Sequence, residues 1–129
     1  MPPSISLRGL RLLVVEDEAM VAMLVEDMLT DLGCVVVGIA GTVANGLAVV
    51  GAGDVALDGA VLDVNIGGEK VFPVADALAA RGVPFLFATG YGAAGVADRY
   101  ADKRVIAKPF QSRVLEDALA ATFARTTRG

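Results

Sequence analysis

The sequence predicts an α/β fold: a doubly wound, five-stranded parallel sheet flanked by five helices. Three observations predict it. Apolar or β-branched runs alternate with amphipathic helical stretches five times along the chain, and such alternation builds parallel strands joined by crossover helices on both faces. The length, 129 residues, is that of one domain and is large enough to bury a core. The composition is 55% apolar, which excludes a disordered chain.

Residues 1–6 read as a loose N-terminal end. Residues 10–15 form the first buried strand, interrupted by Arg11. In 19–32 the apolar set Val21, Leu24, Val25, Met28, Leu29 and Leu32 has the spacing of one helix face, and Gly33 stops it. The β-branched run 35–40 is the second strand. A short helix near 43–50 aligns Val43, Leu47 and Val50. The third strand lies within 56–64 and ends at Asp63. The third helix is expected over 71–81, with Val71, Val74, Ala75 and Leu78 inward, and Gly82-Val83-Pro84 connects it to a fourth strand over 85–89. A glycine-rich segment, 90–95, leads into a short helix over 94–100. The fifth strand is 104–107, and after Lys108-Pro109-Phe110 a last helix over 112–124 buries Val114, Leu115, Ala118, Leu119 and Phe123. The domain is thus expected to span 7–124, with a tail at 125–129.

Composition removes several classes of function. The net charge is −4 and the only basic cluster is the pair Arg125 and Arg128 in the tail, so nucleic acid is not an expected partner. The uncharged stretch 32–53 is long enough for a membrane span, but it holds six glycines and has acidic flanks, Asp31 and Asp54. A buried strand and a short helix fit it better, and no membrane insertion is expected. The N-terminus lacks the basic start and apolar middle of a signal peptide. The single cysteine, Cys34, allows no internal disulfide and fits a reducing, cytoplasmic compartment; within its apolar run it reads as a small buried hydrophobe. The absence of histidine excludes histidine acid–base catalysis, a Ser-His-Asp triad and histidine metal ligands. Any phosphohistidine must come from another molecule.

In a sheet of this kind sites form where strand C-termini meet. Strand one ends in Glu16 and Asp17, strand three in Asp63, strand four in Thr89 and strand five in Lys108. Singly, each has a plain structural role: the acidic pair as helix caps, Asp63 as a turn residue, Thr89 as a strand-end hydroxyl, Lys108 as a solvated charge. Together they place three carboxylates, a hydroxyl and an ammonium at one edge. Clustered carboxylates repel and call for a cation; oxygen-only ligands select a hard ion such as Mg²⁺. Asp63 can then act as a nucleophile that forms an aspartyl phosphate, with Lys108 offsetting charge and Thr89 donating a hydrogen bond.

These motifs resemble the receiver domain of bacterial two-component response regulators, over nearly the whole of 10–123. The resemblance rests on Glu16-Asp17, Asp63, Thr89 and Lys108-Pro109-Phe110. It implies a flavodoxin-like sheet of strand order 2-1-3-4-5 with five helices. It also implies Mg²⁺ held by Asp17, Asp63 and the main-chain carbonyl of Asn65, with Glu16 assisting through water. Asp63 would take a phosphoryl group from a sensor histidine kinase or histidine phosphotransfer protein, and a cis Lys108-Pro109 bond is expected. The segment Pro84-Phe85-Leu86-Phe87-Ala88-Thr89-Gly90-Tyr91-Gly92 is further similar to the PFxFATGY signature of mostly single-domain alphaproteobacterial receivers. One departure stands out: the usual aromatic three residues before the lysine is Val105 here. Tyr91, with Gly90 beside it, either substitutes for that switch or serves as a partner contact.

The chain stops soon after the last helix, so the expected output is contact with a downstream protein or onward phosphotransfer, from a monomer or weak dimer. The domain is expected to be no enzyme beyond its own phosphotransfer and dephosphorylation. Two alternatives stand beside this reading. One is a receiver-like binding module that works without phosphorylation. The other is an aspartyl-phosphate phosphatase of the haloacid-dehalogenase type, whose Asp-x-Asp ends the first strand, whereas Asp63-Val64-Asn65 is on the third.

Overall fold

The computed structural model describes residues 7–53, 56–90 and 95–127. Along them run strand β1 (Arg11–Val15), helix α1 (Ala19–Asp31), β2 (Val35–Ala40), α2 (Val43–Ala52) and β3 (Gly59–Asp63). Two short strands, β4 (Asn65–Ile66) and β5 (Glu69–Lys70), precede α3 (Phe72–Ala80). Then come β6 (Phe85–Thr89), a 3₁₀ turn (Asp98–Tyr100), β7 (Val105–Ala107) and α4 (Ser112–Thr127). The main sheet is parallel throughout, in the order β2-β1-β3-β6-β7. With the separate β4–β5 piece set aside, this is the expected 2-1-3-4-5.

Strand alternation divides the core into two layers. Leu13, Val15, Leu62 and Phe87 face α2 and α3, where they meet Val43, Val50, Val74 and Leu78. Leu12, Val14, Val61 and Leu86 face α1 and α4, against Val25, Leu29, Leu115 and Phe123. Both faces of β1, β3 and β6 are covered, so these strands read as continuous apolar runs. Cys34 is buried, as expected, and its thiol donates to the Leu7 carbonyl at 3.4 Å. Burial pushes that thiol's pKa up. Among the described residues no helix is long and apolar enough to cross a membrane; the uncharged stretch 32–53 is largely β2 and α2.

Several expectations need correction. Five helices were expected, and the described residues hold four α-helices. Of the helix expected over 94–100, residue 94 lies outside the described residues, and Asp98–Tyr100 forms a single 3₁₀ turn. A stretch that short, carrying Gly95, cannot offset the cost of helix nucleation. Of the face expected for α1, Val25 and Leu29 are buried and Val21, Met28 and Leu32 pack partly buried against the core; Leu24 is the exception at 56% exposed, and Ala22 is buried beside the stripe. In α2, Leu47 turns outward and Gly46 is the buried residue, close against the Val74 side chain. Val114 of α4, expected inward, is exposed. The loose end at 1–6 lies outside the described residues, and α4 continues past 124 to Thr127, into the expected tail.

Candidate functional site

The strand register builds the site. Val15 stands opposite Leu62, Asp63 opposite Ala88, and Thr89 opposite Ala107. The next residues along β1 and β7 are Glu16 and Lys108, so all four strand ends meet at one edge. Alternation then sets the direction. Val14, Val61 and Ile106 face the α1 and α4 layer, and two residues further on, Glu16, Asp63 and Lys108 project from that same face.

Glu16, Asp63 and Thr89 are the buried polar side chains among the described residues. The Lys108 ammonium joins two of them, donating to Glu16 Oε1 at 2.5 Å and to Asp63 Oδ2 at 2.9 Å. The Lys108 main-chain N–H donates to the Thr89 carbonyl at 2.9 Å, which fixes the end of β7 to β6. The second oxygen of Glu16 accepts the Glu18 N–H at 3.1 Å, and Asp63 Oδ1 accepts the Asn65 N–H at 3.4 Å. Burial raises the Glu16 pKa, and the Asp63 charge adds to this against the pull of Lys108 and the Glu18 N–H. For Lys108, burial works downward, but the hydrogen bonds to Glu16 and Asp63 prevail and its pKa is raised. The residue therefore remains an ammonium at neutral pH. The Lys108-Pro109 peptide is cis.

Asp17 is exposed and its Oδ2 accepts the Gly67 N–H at 2.9 Å. Carboxylate oxygens of Glu16, Asp17 and Glu18 lie within 4.8 Å of one another. An all-oxygen donor set of this kind fits a hard divalent cation. Asp63 is not in that group of three, but Lys108 joins it to the group through Glu16. The resulting edge can offer one carboxylate oxygen as a nucleophile beside an ammonium, over a cleft of about 1070 Å³ that Asp17, Asp63, Thr89 and Lys108 line.

Neither a protein-family model nor a curated protein matches the sequence. Solved structures do. SdrG from Sphingomonas melonis Fr1, in solution, is 46% identical, with 92% of this chain and 99% of that chain covered and a TM-score of 0.78. The BeF3-activated conformation of SdrG, from Pseudomonas melonis Fr1, is 49% identical over 86% of this chain and 93% of that one, with a TM-score of 0.73. The receiver (REC) domain of the Erythrobacter litoralis PhyR response regulator shares the fold at 23% identity, covering 94% and 92%, with a TM-score of 0.74. The chain belongs to the response regulator receiver domains.

In this receiver domain Val105 is half-buried in β7 beside Phe87, its register partner. The expected contribution of Tyr91 lies outside the described residues, and Gly90 is an exposed turn. The core cluster that Val105 packs against contains a buried ring. Tyr100 is 6% exposed and packs on Phe85, Phe87 and Phe72 with centroids 5.3, 5.9 and 6.2 Å away. Pro109 is exposed, and Phe110 packs partly buried against the α1–α4 layer.

Sequence reasoning missed the β4–β5 hairpin. Its tip, Gly67-Gly68, has φ of 58° and 87°. Two successive positive φ values are what a two-residue type I′ hairpin loop requires, and glycine supplies them without strain. The glycine pair was the available signal. The hairpin brings Lys70 to the site, where its ammonium donates to Asn65 Oδ1 at 2.7 Å.

Proposed function

We propose that this receiver domain is a cytoplasmic, single-domain response regulator that accepts a phosphoryl group on Asp63 from a partner's phosphohistidine. The carrying observation is the buried Asp63 carboxylate, bridged by Lys108 to Glu16, with Thr89 at the adjoining strand end. An Asp63 oxygen attacks phosphorus; the new O–P bond forms as the P–N bond breaks, and the donor imidazole nitrogen leaves with the electron pair. Lys108 then offsets charge on the transferred group, and Thr89 donates a hydrogen bond to it. Glu16, Asp17, Asp63 and the Asn65 main-chain carbonyl are the residues that would hold Mg²⁺, which supplies charge neutralisation when bound. The chain itself has no histidine, so the phosphohistidine belongs to another molecule, in this reading a sensor kinase or a histidine phosphotransfer protein.

The Pro84 to Gly92 motif aligns the chain with single-domain alphaproteobacterial receivers, and the BeF3-activated SdrG structure supports an activated state for this fold. The output is protein contact or onward transfer of the phosphoryl group. Incubation with Mg²⁺ and acetyl phosphate tests the reading by intact mass. The parent protein is expected to gain one phosphoryl group and Asp63→Asn none. A parent that gains nothing overturns the proposal.

A further inference from the structure

A second cation stands at the rim of the cleft. Lys70 is the last residue of β5 and pairs with Asn65 of β4 in antiparallel register. Cross-strand partners bring their Cβ atoms to about 5 Å, so the lysine reaches the Asn65 side chain, and its ammonium donates to Oδ1 at 2.7 Å. Two further bonds hold the hairpin: Val71 N–H to the Val64 carbonyl at 2.9 Å, and Gly67 N–H to Asp17 at 2.9 Å. Lys70 is thus placed by backbone geometry on Asn65, in the hairpin whose tip binds Asp17, and lines the same cleft as Asp63 and Lys108.

The charges at this edge are unbalanced. Glu16, Asp17, Glu18 and Asp63 face the two ammoniums Lys70 and Lys108. Lys108 is already engaged by Glu16 and Asp63, with its side chain 16% exposed. Among the described residues Lys70 makes no ion pair, and it is exposed. A lysine ammonium has only donors, so it takes the Oδ1 edge of the Asn65 side chain, on the residue whose main-chain N–H reaches Asp63 Oδ1. An incoming phosphodonor is an anion that must approach a predominantly acidic rim. The cation with charge to spare, on the solvent side, is Lys70.

Building on the phosphoacceptor reading of Asp63, we propose that Lys70 is a positioning residue for phosphotransfer: it orients Asn65 and draws the anionic phosphodonor to the cleft. The phosphoryl transfer itself remains as described, from the donor to an Asp63 oxygen. Lys70 acts before it, through charge and through Asn65.

The test is the second-order rate constant for Asp63 phosphorylation by acetyl phosphate, with saturating Mg²⁺, followed by intact mass at low and high KCl. Parent, Lys70→Gln and Lys70→Arg are compared after matching melting temperatures show that all three fold. Lys70→Gln is expected to lower the rate constant about three- to tenfold at low salt. Lys70→Arg is expected to restore it, and the deficit of Lys70→Gln should shrink in about 1 M salt, where screening acts within about 3 Å. A Lys70→Gln rate equal to the parent's, or a deficit that arginine does not repair and salt does not change, overturns the proposal and leaves Asp63 as phosphoacceptor. A parent that takes no phosphoryl group overturns the Asp63 reading and this inference together.

Discussion

At the scale of single residues, Asp76 shows how one carboxylate ties down the 3₁₀ turn that stands where the sequence predicts a helix. It receives Arg99 through two hydrogen bonds, at 3.0 and 3.1 Å, and also the Tyr100 hydroxyl. Arg99 stacks over the Phe72 and Tyr100 rings. The Arg99 bond, then the Tyr100 bond, lowers the Asp76 pKa below its ordinary 3.8. Burial, then the hydrogen bond to Asp76, raises the Tyr100 pKa above 10.0. A lowered carboxyl pKa stabilises the fold above pH 3.8, and that share is lost as pH falls through the folded value. A raised phenol pKa stabilises it below pH 10.0, and that share is lost as pH rises through the folded value. Asp76→Asn should therefore melt about 2–4 °C below the parent near pH 7, a small effect because the pair is exposed. The gap should close toward both extremes of pH; a gap constant from pH 3 to pH 11 sinks this account. Glu16, Asp63, Thr89 and Lys108 were legible in the sequence because each follows an apolar strand run. Asp76 and Tyr100 were not, since they lie 24 residues apart and only the fold brings them together.

At the scale of elements, legibility followed length and period. β6 was read with its observed ends because the four residues before Thr89 are all apolar. The existence of α1 and most of its inward face were plain, with Leu24 the exception. Met20, Met23 and Leu24 are apolar yet exposed, so periodicity alone offered more than one stripe. The two-residue strands β4 and β5 carry no period at all. Element packing also rests on a position where sequence gave no warning. Gly59, at the start of β3, lies under α4, and a Cβ there would fall 2.3 Å from Phe123 Cζ and 3.1 Å from the Pro84 carbonyl oxygen. Gly59→Ala must push α4 outward or force Phe123 off its rotamer, at about 1–3 kcal/mol. Adding Phe123→Leu should recover part of that loss, because the clash is mainly with the ring. Denaturant melts of the two single variants and the double variant measure it; strictly additive losses would show that Phe123 is not the obstacle.

At the scale of the molecule, the parallel sheet gathers carboxylates from separate strands at one end of a chain that is already acidic, at −4. Hydrophobic layers on both faces fix the register, so these groups cannot move apart to relieve repulsion. Lys108 answers Glu16 and Asp63, while Asp17 and Glu18 stay exposed beside Glu16. A divalent cation bound at this edge would lower the energy of the native state, and the unfolded chain would offer it no comparable site. If Mg²⁺ is held there as proposed, binding stabilises the native state by RT ln(1 + [Mg²⁺]/Kd), about 1.4 kcal/mol at tenfold excess over Kd. For a domain of this size that corresponds to a rise in melting temperature of about 3–6 °C. Asp17→Asn should abolish most of the rise, because it removes an exposed ligand without disturbing the buried Lys108 bridge. NaCl at matched ionic strength gives the contribution of screening alone. If NaCl raises the melting temperature as much as MgCl₂, or if Asp17→Asn responds like the parent, the acidic edge is a repulsive surface that salt relieves and not a metal site.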